Sequence, residues 1–574
     1  MVDATSHNTE DEADFNLESL ASEEAGFEAA SLTAGDRVRL LITMLVPLSL
    51  SVWYLLDNSW PFWDGASHVL DSIKYMDLFR HPHLMDANWW LSLLKVNYAY
   101  PPQVHAFYGL GKMMLGPGLL TEQISAVLFS GLLAFSVFSI AFEIFKSRSA
   151  AFLSVCVLQS YPLVCRLSHT TYLDFAYLSF YALAMYAIFS FSKEPGWRKC
   201  LGLGCAIGLA ASSKQVAAFF LFFPCLFLLV TFAIKKRWDS VLQLISASFI
   251  AALFLLIWLV PNFSMLQWFN DRNATHLEDT RILSNVVRNG SGYLVGLPIS
   301  MSALGSILFV LALPLVLRRQ VVKRLVLLFA SFLGIGFLLF LSSNLPEQRY
   351  IVPVFVLTAI ISAGLLTRLL RSKNKILRAV FVIVSSMMLL HWILFNFSPY
   401  PIDSKIAIFA SEVFCAKGGT PSGMNQCENP TPPGDVWAQE WIVDTIDRNS
   451  NSPPGYLYIV PNDAQYNVHT LTLIARIKKS LVVPTTSRIW TLKGDQVSFD
   501  PASLEYFEWF LLHSKKPDYM EDRKISIGDR QDLPRDQDSR NAITQIEDYV
   551  AQNCALVGRK IVYDQSEILL FRRN

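Results

Sequence analysis

Between about residues 39 and 397 the chain carries one apolar run after another, each roughly 18 or more residues long. A helix of that length crosses the ~30 Å hydrocarbon layer of a bilayer. Water is absent there, so each run must satisfy its own backbone hydrogen bonds, and a helix does so within one segment. The runs fall at 39–57, 122–145, 149–166, 173–192, 200–213, 215–234, 239–261, 294–317, 323–341, 349–367 and 376–397, about eleven spans. The pattern predicts a polytopic α-helical membrane protein. Only 17% of the 574 residues are charged, against about a quarter in soluble proteins. The net charge of +1 gives no basis for a nucleic-acid partner.

Charge sets the sidedness. Lys146 and Arg148; Lys193, Arg198 and Lys199; Lys235, Lys236 and Arg237; Arg318, Arg319, Lys323 and Arg324; and Arg368, Arg371, Lys373, Lys375 and Arg378 fill five alternate corners. The corners between them, around 166–172, 214 and 342–349, hold one basic residue each. The longer segment 262–293 is an exception, its Arg272, Arg281 and Arg288 offset by Asp271, Glu278 and Asp279. Basic corners lie on the cytoplasmic side. The N-terminus is therefore expected on the cytoplasmic side, with residues 398–574 outside; the membrane is expected to be a plasma (inner) membrane, and an endoplasmic reticulum membrane facing the lumen obeys the same rule. Residues 1–36 are acidic and polar and read as a disordered cytoplasmic tail. The runs 200–213 and 215–234 are short for two spans and suit a re-entrant pair with Lys214 at its turn.

The membrane module is expected over 37–399, and its first outer segment, 58–121, is long. Its Trp89-Trp90, Tyr98, Tyr100 and the amphipathic stretch near 103–115 predict helices lying in the headgroup zone rather than a span. Residues 400–574 are of a different kind. Short apolar runs such as 457–460 and 568–571 predict strands, and 471–481 and 542–554 predict helices, so this segment is expected to be an extracytoplasmic α/β domain. Cys415 and Cys427 flank a Gly/Pro-rich stretch, and their pairing stays open.

On this topology Asp64, His169, Asp174, Lys214, Glu347, Arg349 and Tyr350 fall near the outer ends of spans. Ionisable groups at such positions are costly to desolvate and usually mark function. The set suits transfer from a lipid phosphate to a hydroxyl. A carboxylate takes or orients the acceptor proton, and cations neutralise the departing phosphate. Each residue also has a plainer use. Asp64 suits a turn or helix cap and Asp174 a helix start. Lys214 can snorkel, Arg349, Tyr350 and Lys95 can anchor an interface, and His169 and Glu347 can sit in solvated loops.

Several short motifs occur in order: Trp63-Asp64-Gly65, Tyr100-Pro101-Pro102, Leu173-Asp174-Phe175, Gly208-Leu209-Ala210 before Ser213-Lys214, and Gln348-Arg349-Tyr350-Ile351-Val352-Pro353. In order and sidedness, over most of 39–400, they resemble the GT-C membrane glycosyltransferases, in the branch of protein O-mannosyltransferases and the lipid A aminoarabinose transferase. The resemblance implies a GT-C fold and inverting transfer of a sugar from a polyprenyl-phosphate donor to an acceptor glycan, lipid or protein at the outer face. It implies a reacting-centre role for Asp64 and a metal or substrate role for Asp174. It also implies donor-phosphate contacts from Lys214, Arg349 and Tyr350. A divalent metal of unknown identity is admitted, with Asp64, Asp174 and His169 as its candidate ligands. Many relatives follow the first acid with a second acid and a nearby arginine. Here Gly65, Ala66, Ser67 and His68 follow, so His68 and Lys95 are the candidates to substitute. The competing classes are a transporter or flippase of a lipid-linked or polar solute, and a non-catalytic assembly subunit. A transporter would show internal repeats and midplane polar residues, and neither is evident.

Overall fold

The computed structural model describes residues 60–61, 63–274, 282–316, 319–341, 348–397, 438–450, 455–460, 466–486, 490–493, 496–499, 501–514, 536–562 and 567–574. The expected span at 39–57, the tail 1–36, Glu347, Cys415 and Cys427 lie outside the described residues.

Among the described residues, three helices precede the main bundle: α1 (Trp63–Arg80), α2 (Ala87–Lys95) and α3 (Gln103–Leu115). The bundle follows as α4 (Leu120–Phe145), α5 (Arg148–Gln159), α6 (Pro162–Ser168), α7 (Leu173–Lys193), α8 (Trp197–Ser213), α9 (Ala217–Ile234), α10 (Trp238–Ala274), α11 (Ile282–Val316), α12 (Arg319–Phe332), α13 (Gly334–Leu341), α14 (Pro353–Arg371) and α15 (Lys375–Phe397). Among the described residues five helices are long and apolar enough to cross a membrane, or six with the bent pair α5–α6.

The stretch expected as one span at 149–166 is thus broken, turning 74° between α5 and α6. Pro162 has no N–H to give the preceding turn and disfavours helical dihedrals at Tyr161, which is extended. The runs 200–213 and 215–234 form two separate helices, because Lys214 between them is extended. Gly204 and Gly208 let α8 approach α10 closely: a Cβ on Gly204 would lie 2.8 Å from the Ala247 carbonyl. The run expected at 294–317 begins earlier, at Ile282, and kinks at Ser302, whose φ is 65°.

Among the described residues of 58–121, no helix is long and apolar enough to cross a membrane. α3 buries Val104, His105, Tyr108 and Lys112 while exposing Phe107, Leu110, Met113 and Met114. Such two-faced burial suits a helix lying at the headgroups. Its neighbour α1 lacks a single apolar stripe because it is covered on two sides. Ala66, Val69, Ile73 and Met76 form one face. His68, Ser72 and Tyr75 lie toward α3, where Gly109 has no room for a Cβ, which would sit 2.5 Å from that of Tyr75.

The remaining described residues form an α/β unit. Its sheet runs β2 (Val482–Thr485), β1 (Gly455–Val460), β5 (Trp509–Ser514), β7 (Glu567–Arg573), β6 (Cys554–Ile561). β1 is parallel to β2 and β5, whereas β7 is antiparallel to β5 and β6. A separate hairpin pairs β3 (Trp490–Lys493) with β4 (Gln496–Phe499). Helices α16 (Gln439–Asn449), α17 (Val468–Lys478) and α18 (Asp536–Asn553) complete it. Leu471 and Ile474 of α17 join Leu457, Trp509 and Leu570 of the sheet in one core.

Candidate active site

Four stretches far apart in sequence meet at one end of the bundle. α7 brings Asp174 in its first turn, where the helix dipole favours a carboxylate. Asp174 does not cap that helix by a side-chain hydrogen bond. It accepts from Lys214 Nζ at 2.5 Å. The guanidinium of Arg349 lies 3.9 Å from its other oxygen. Arg349 also donates to Asp64 at 2.9 Å. The result is an alternating series of charges, Asp64–Arg349–Asp174–Lys214.

The local structure around each member explains its place. Arg349 sits in a 3-10 turn, Gln348–Ile351, that ends where Pro353 opens α14. Gln348 fixes this turn by donating to the carbonyls of Gly292 and Tyr293 in α11. Lys214 occupies the extended break between α8 and α9, its ammonium 4.5 Å from the centre of the Tyr350 ring and 5.9 Å from that of Tyr100. The Arg349 guanidinium lies 4.9 Å from the Tyr172 ring centre. Aromatic faces attract such cations while leaving the local dielectric low.

Tyr100 is delivered by a knotted-up turn. Asn97 accepts from the amides of Ala99 and Tyr100 and donates to the buried carboxylate of Asp71. Trp258 of α10 donates to the Asn97 carbonyl, and Gln215 to that of Ala99.

The two acids differ. The Asp174 side chain is 1% exposed and Lys214 3%, whereas Asp64 is 42% exposed. Asp64 is therefore the carboxylate that an incoming molecule can reach. Burial pushes its carboxyl up, but the Arg349 guanidinium, with Lys214 behind it, outweighs this and holds it below the usual carboxylate range. One turn on, His68 Nδ1 lies 3.0 Å from His105 Nε2, so one ring donates and the other accepts. Burial, and then His105, press His68 well below its ordinary pKa; burial lowers His105 to about 4. The pair is neutral at pH 7 and joins α1 to α3 beside Asp64.

Gly65 explains why no second acid follows Asp64. A Cβ there would lie 2.7 Å from Thr171 Oγ1 and 3.3 Å from Pro61 Cβ. The linker between α6 and α7 passes too close for any side chain.

Of the residues singled out from sequence, Asp64, Asp174, Lys214, Arg349 and Tyr350 come together, with His68 alongside. His169 is half-buried at the C-cap of α6. Lys95 is exposed in the last turn of α2, and among the described residues no ion pair or hydrogen bond joins it to the cluster. His105 and Tyr172 escaped the sequence reading. A histidine two residues into a helix after Pro-Pro was the only signal for the first.

The proposed metal ligands do not form a site. Among the described residues no three His, Cys, Asp or Glu side chains gather at metal-binding spacing. Asp64 and Asp174 each face a cationic side chain instead, so this donor set does not fit a divalent ion.

Residues 100–260 match the dolichyl-phosphate-mannose-protein mannosyltransferase family. Comparison with curated proteins gives no match. Among solved structures, ArnT from Cupriavidus metallidurans in the apo state is similar at 13% identity and a TM-score of 0.54, over 94% of this chain and 98% of that one. The same protein bound to undecaprenyl phosphate aligns at 14% identity and a TM-score of 0.49, over 92% and 97%. The Archaeoglobus fulgidus oligosaccharyltransferase, in complex with Zn and sulfate, aligns at 13% and 0.47, over 86% and 70%. The chain thus has the fold of ArnT and, in fold and in its 100–260 segment, resembles the GT-C membrane glycosyltransferases.

Proposed function

We propose that the chain transfers a sugar from a polyprenyl-phosphate donor to an acceptor hydroxyl at the extracytoplasmic face, with inversion at the anomeric carbon. The observation that carries this reading is the charge series itself, in which a reachable carboxylate is held next to two buried cations. The match of 100–260 to a family described by a dolichyl-phosphate sugar supports the donor class.

In this mechanism Asp64 orients the acceptor hydroxyl and takes its proton as the oxygen attacks the anomeric carbon. The bond from that carbon to the phosphate oxygen breaks, and its electron pair stays on the phosphate. Lys214 and Arg349 stabilise the charge that grows there. Asp174 holds both cations in place while it remains buried. The neutral His68–His105 pair fixes the first turns of α1 and adds no charge to oppose the cations.

The course of the helices supports the outer placement of the cluster. α7 begins at the cluster and ends at Lys193, which pairs with Glu143 beside Lys146. The basic corners lie at the far end of the same helices, which under the positive-inside rule supports an outer cluster. A bilayer donor would approach between the helices, and the acceptor glycan, lipid or protein from the outer side.

Purified protein in lipid, given polyprenyl-phosphate sugars and candidate hydroxyl acceptors, tests the reading. Asp64→Asn should lower transfer by about 10²–10⁴-fold with an unchanged melting profile. Undiminished transfer in that variant would remove Asp64 from the mechanism. A wild-type chain that consumes no donor while moving a solute across vesicles would favour the transporter instead.

A further inference from the structure

We infer that the C-terminal α/β unit is a positioning element for Asp64. The inference rests on the reading of Asp64 as the base and adds a residue to that reaction, Thr470. Its hydroxyl is fully buried on α17 and shares its one proton between two acceptors, the Pro61 carbonyl at 3.0 Å, bridging 409 positions of sequence, and Asn467 Oδ1 at 3.1 Å. Asn467, which caps α17, accepts from the Thr470 amide at 2.9 Å and sets its orientation.

Three further contacts run alongside. Trp60 Nε1 donates to Glu440 of α16 at 3.1 Å. Leu473 packs into the stripe of Ala66, Val69, Ile73 and Met76 on α1. Arg476 reaches Asp77 at 2.9 Å on an exposed surface. The last is a surface pair and adds little. The Trp60 bond acts just ahead of α1, and the Leu473 stripe runs along α1 from Ala66 to Met76.

That start is strained. Trp63 has φ 46°, in the left-handed region that a bulky residue avoids. Such a conformation persists only where its surroundings leave no alternative. Gly65 against Thr171 blocks one side, and the Pro61 carbonyl is held on the other by Thr470. The Asp64 carboxylate therefore takes its direction from a unit that contributes no group to the charge series. Releasing Pro61 lets Trp63 relax and turns Asp64 away from the acceptor. Lys214, Arg349 and Asp174, which belong to the bundle, stay in place.

The test compares Thr470→Val, which keeps the shape and removes the hydroxyl, with Thr470→Ser, which keeps the hydroxyl. Two measurements are made on the full-length protein in lipid nanodiscs. Hydrogen exchange over 60–70 reports the clasp without reference to activity. Steady-state transfer reports its effect on the reaction. Thr470→Val should exchange faster over 60–70 and lose roughly tenfold in kcat, with the donor KM unchanged, and Thr470→Ser should retain both wild-type values. A merely structural role would lower the melting temperature without separating kcat from KM. Unchanged exchange in Thr470→Val overturns the clasp. Faster exchange with an unchanged kcat, or a loss shared by kcat and donor KM, overturns the positioning role. If the wild-type chain transfers nothing, the assigned reaction fails and the positioning role with it, while the exchange data still decide the clasp.

Discussion

Among the described residues two buried lysine–carboxylate pairs stand out, and they serve different ends. Lys112 and Glu122, at the corner between α3 and α4, are 0% and 1% exposed and 2.9 Å apart. Lys112 also donates to the carbonyls of Pro117 and Gly118, so its charge is closed off by the chain's own backbone. Lys214 and Asp174 are equally buried, but the neighbours of this lysine are the rings of Tyr350 and Tyr100, and Arg349 sits across the carboxylate. The first pair staples a loop. The second keeps two cations together where the proposed mechanism puts the donor phosphate. Burial of charge alone does not mark a site; the kind of atom facing the cation does.

Substitutions that separate the two pairs sharpen this contrast. The largest effect is expected on chemistry: Lys214→Met should cut transfer by about 10²–10³-fold, measured as kcat/KM. Its loss of stability should be the smaller of the two, because Arg349 still faces Asp174. Lys112→Met should instead leave Glu122 buried without its cation, at about 3–5 kcal/mol. A thermal melt should show that loss, and the Lys112→Met/Glu122→Leu double variant should recover most of it. Equal melting temperatures for the two lysine variants would break the distinction. Gly65→Ala, which drives a methyl into Thr171, should cost about 1–3 kcal/mol and reduce transfer as α1 shifts.

A pH series separates the neutral histidines from the charged cluster. Folded His105 titrates near 4 rather than 6.5, so the unfolded chain binds more protons between these values. Stability should therefore fall as pH drops from about 6.5 toward 4, and His105→Gln should flatten part of that slope. Asp64, held below the usual carboxylate range, contributes its stabilisation above that range and loses it only at lower pH still, where protonation removes the pairing with Arg349. The smallest effect should come from Lys95→Met, whose exposed site predicts transfer unchanged and stability within about 0.5 kcal/mol.

The helical bundle was legible because the bilayer imposes one length and one hydrogen-bonding solution on each crossing. Asp64, Asp174, Lys214 and Arg349 could be singled out because each is a charge where charge is expensive. Lys112 and Glu122 obey the same logic and were passed over, since they fall in a segment whose aromatic residues spoke only of an interface. α1 was not resolved as a helix of its own: its two covered faces, one apolar and one holding His68 and Tyr75, erase the single stripe that periodicity detects. The break in 149–166 had a visible cause in Pro162, yet a run of apolar residues reads as continuous whatever its path. The contact of Thr470 with Pro61 has no sequence signature, because nothing local links positions so remote.

The Gln348 amide occupies the space over Gly296 that a side chain would fill, and it grips the turn of α11 just before it. Any larger residue at position 296 must expel that amide and unhook the peptide leading into Arg349. A genetic lesion at this unremarkable glycine would then present as weakened hold on an anionic lipid, although the residue touches no charged atom itself.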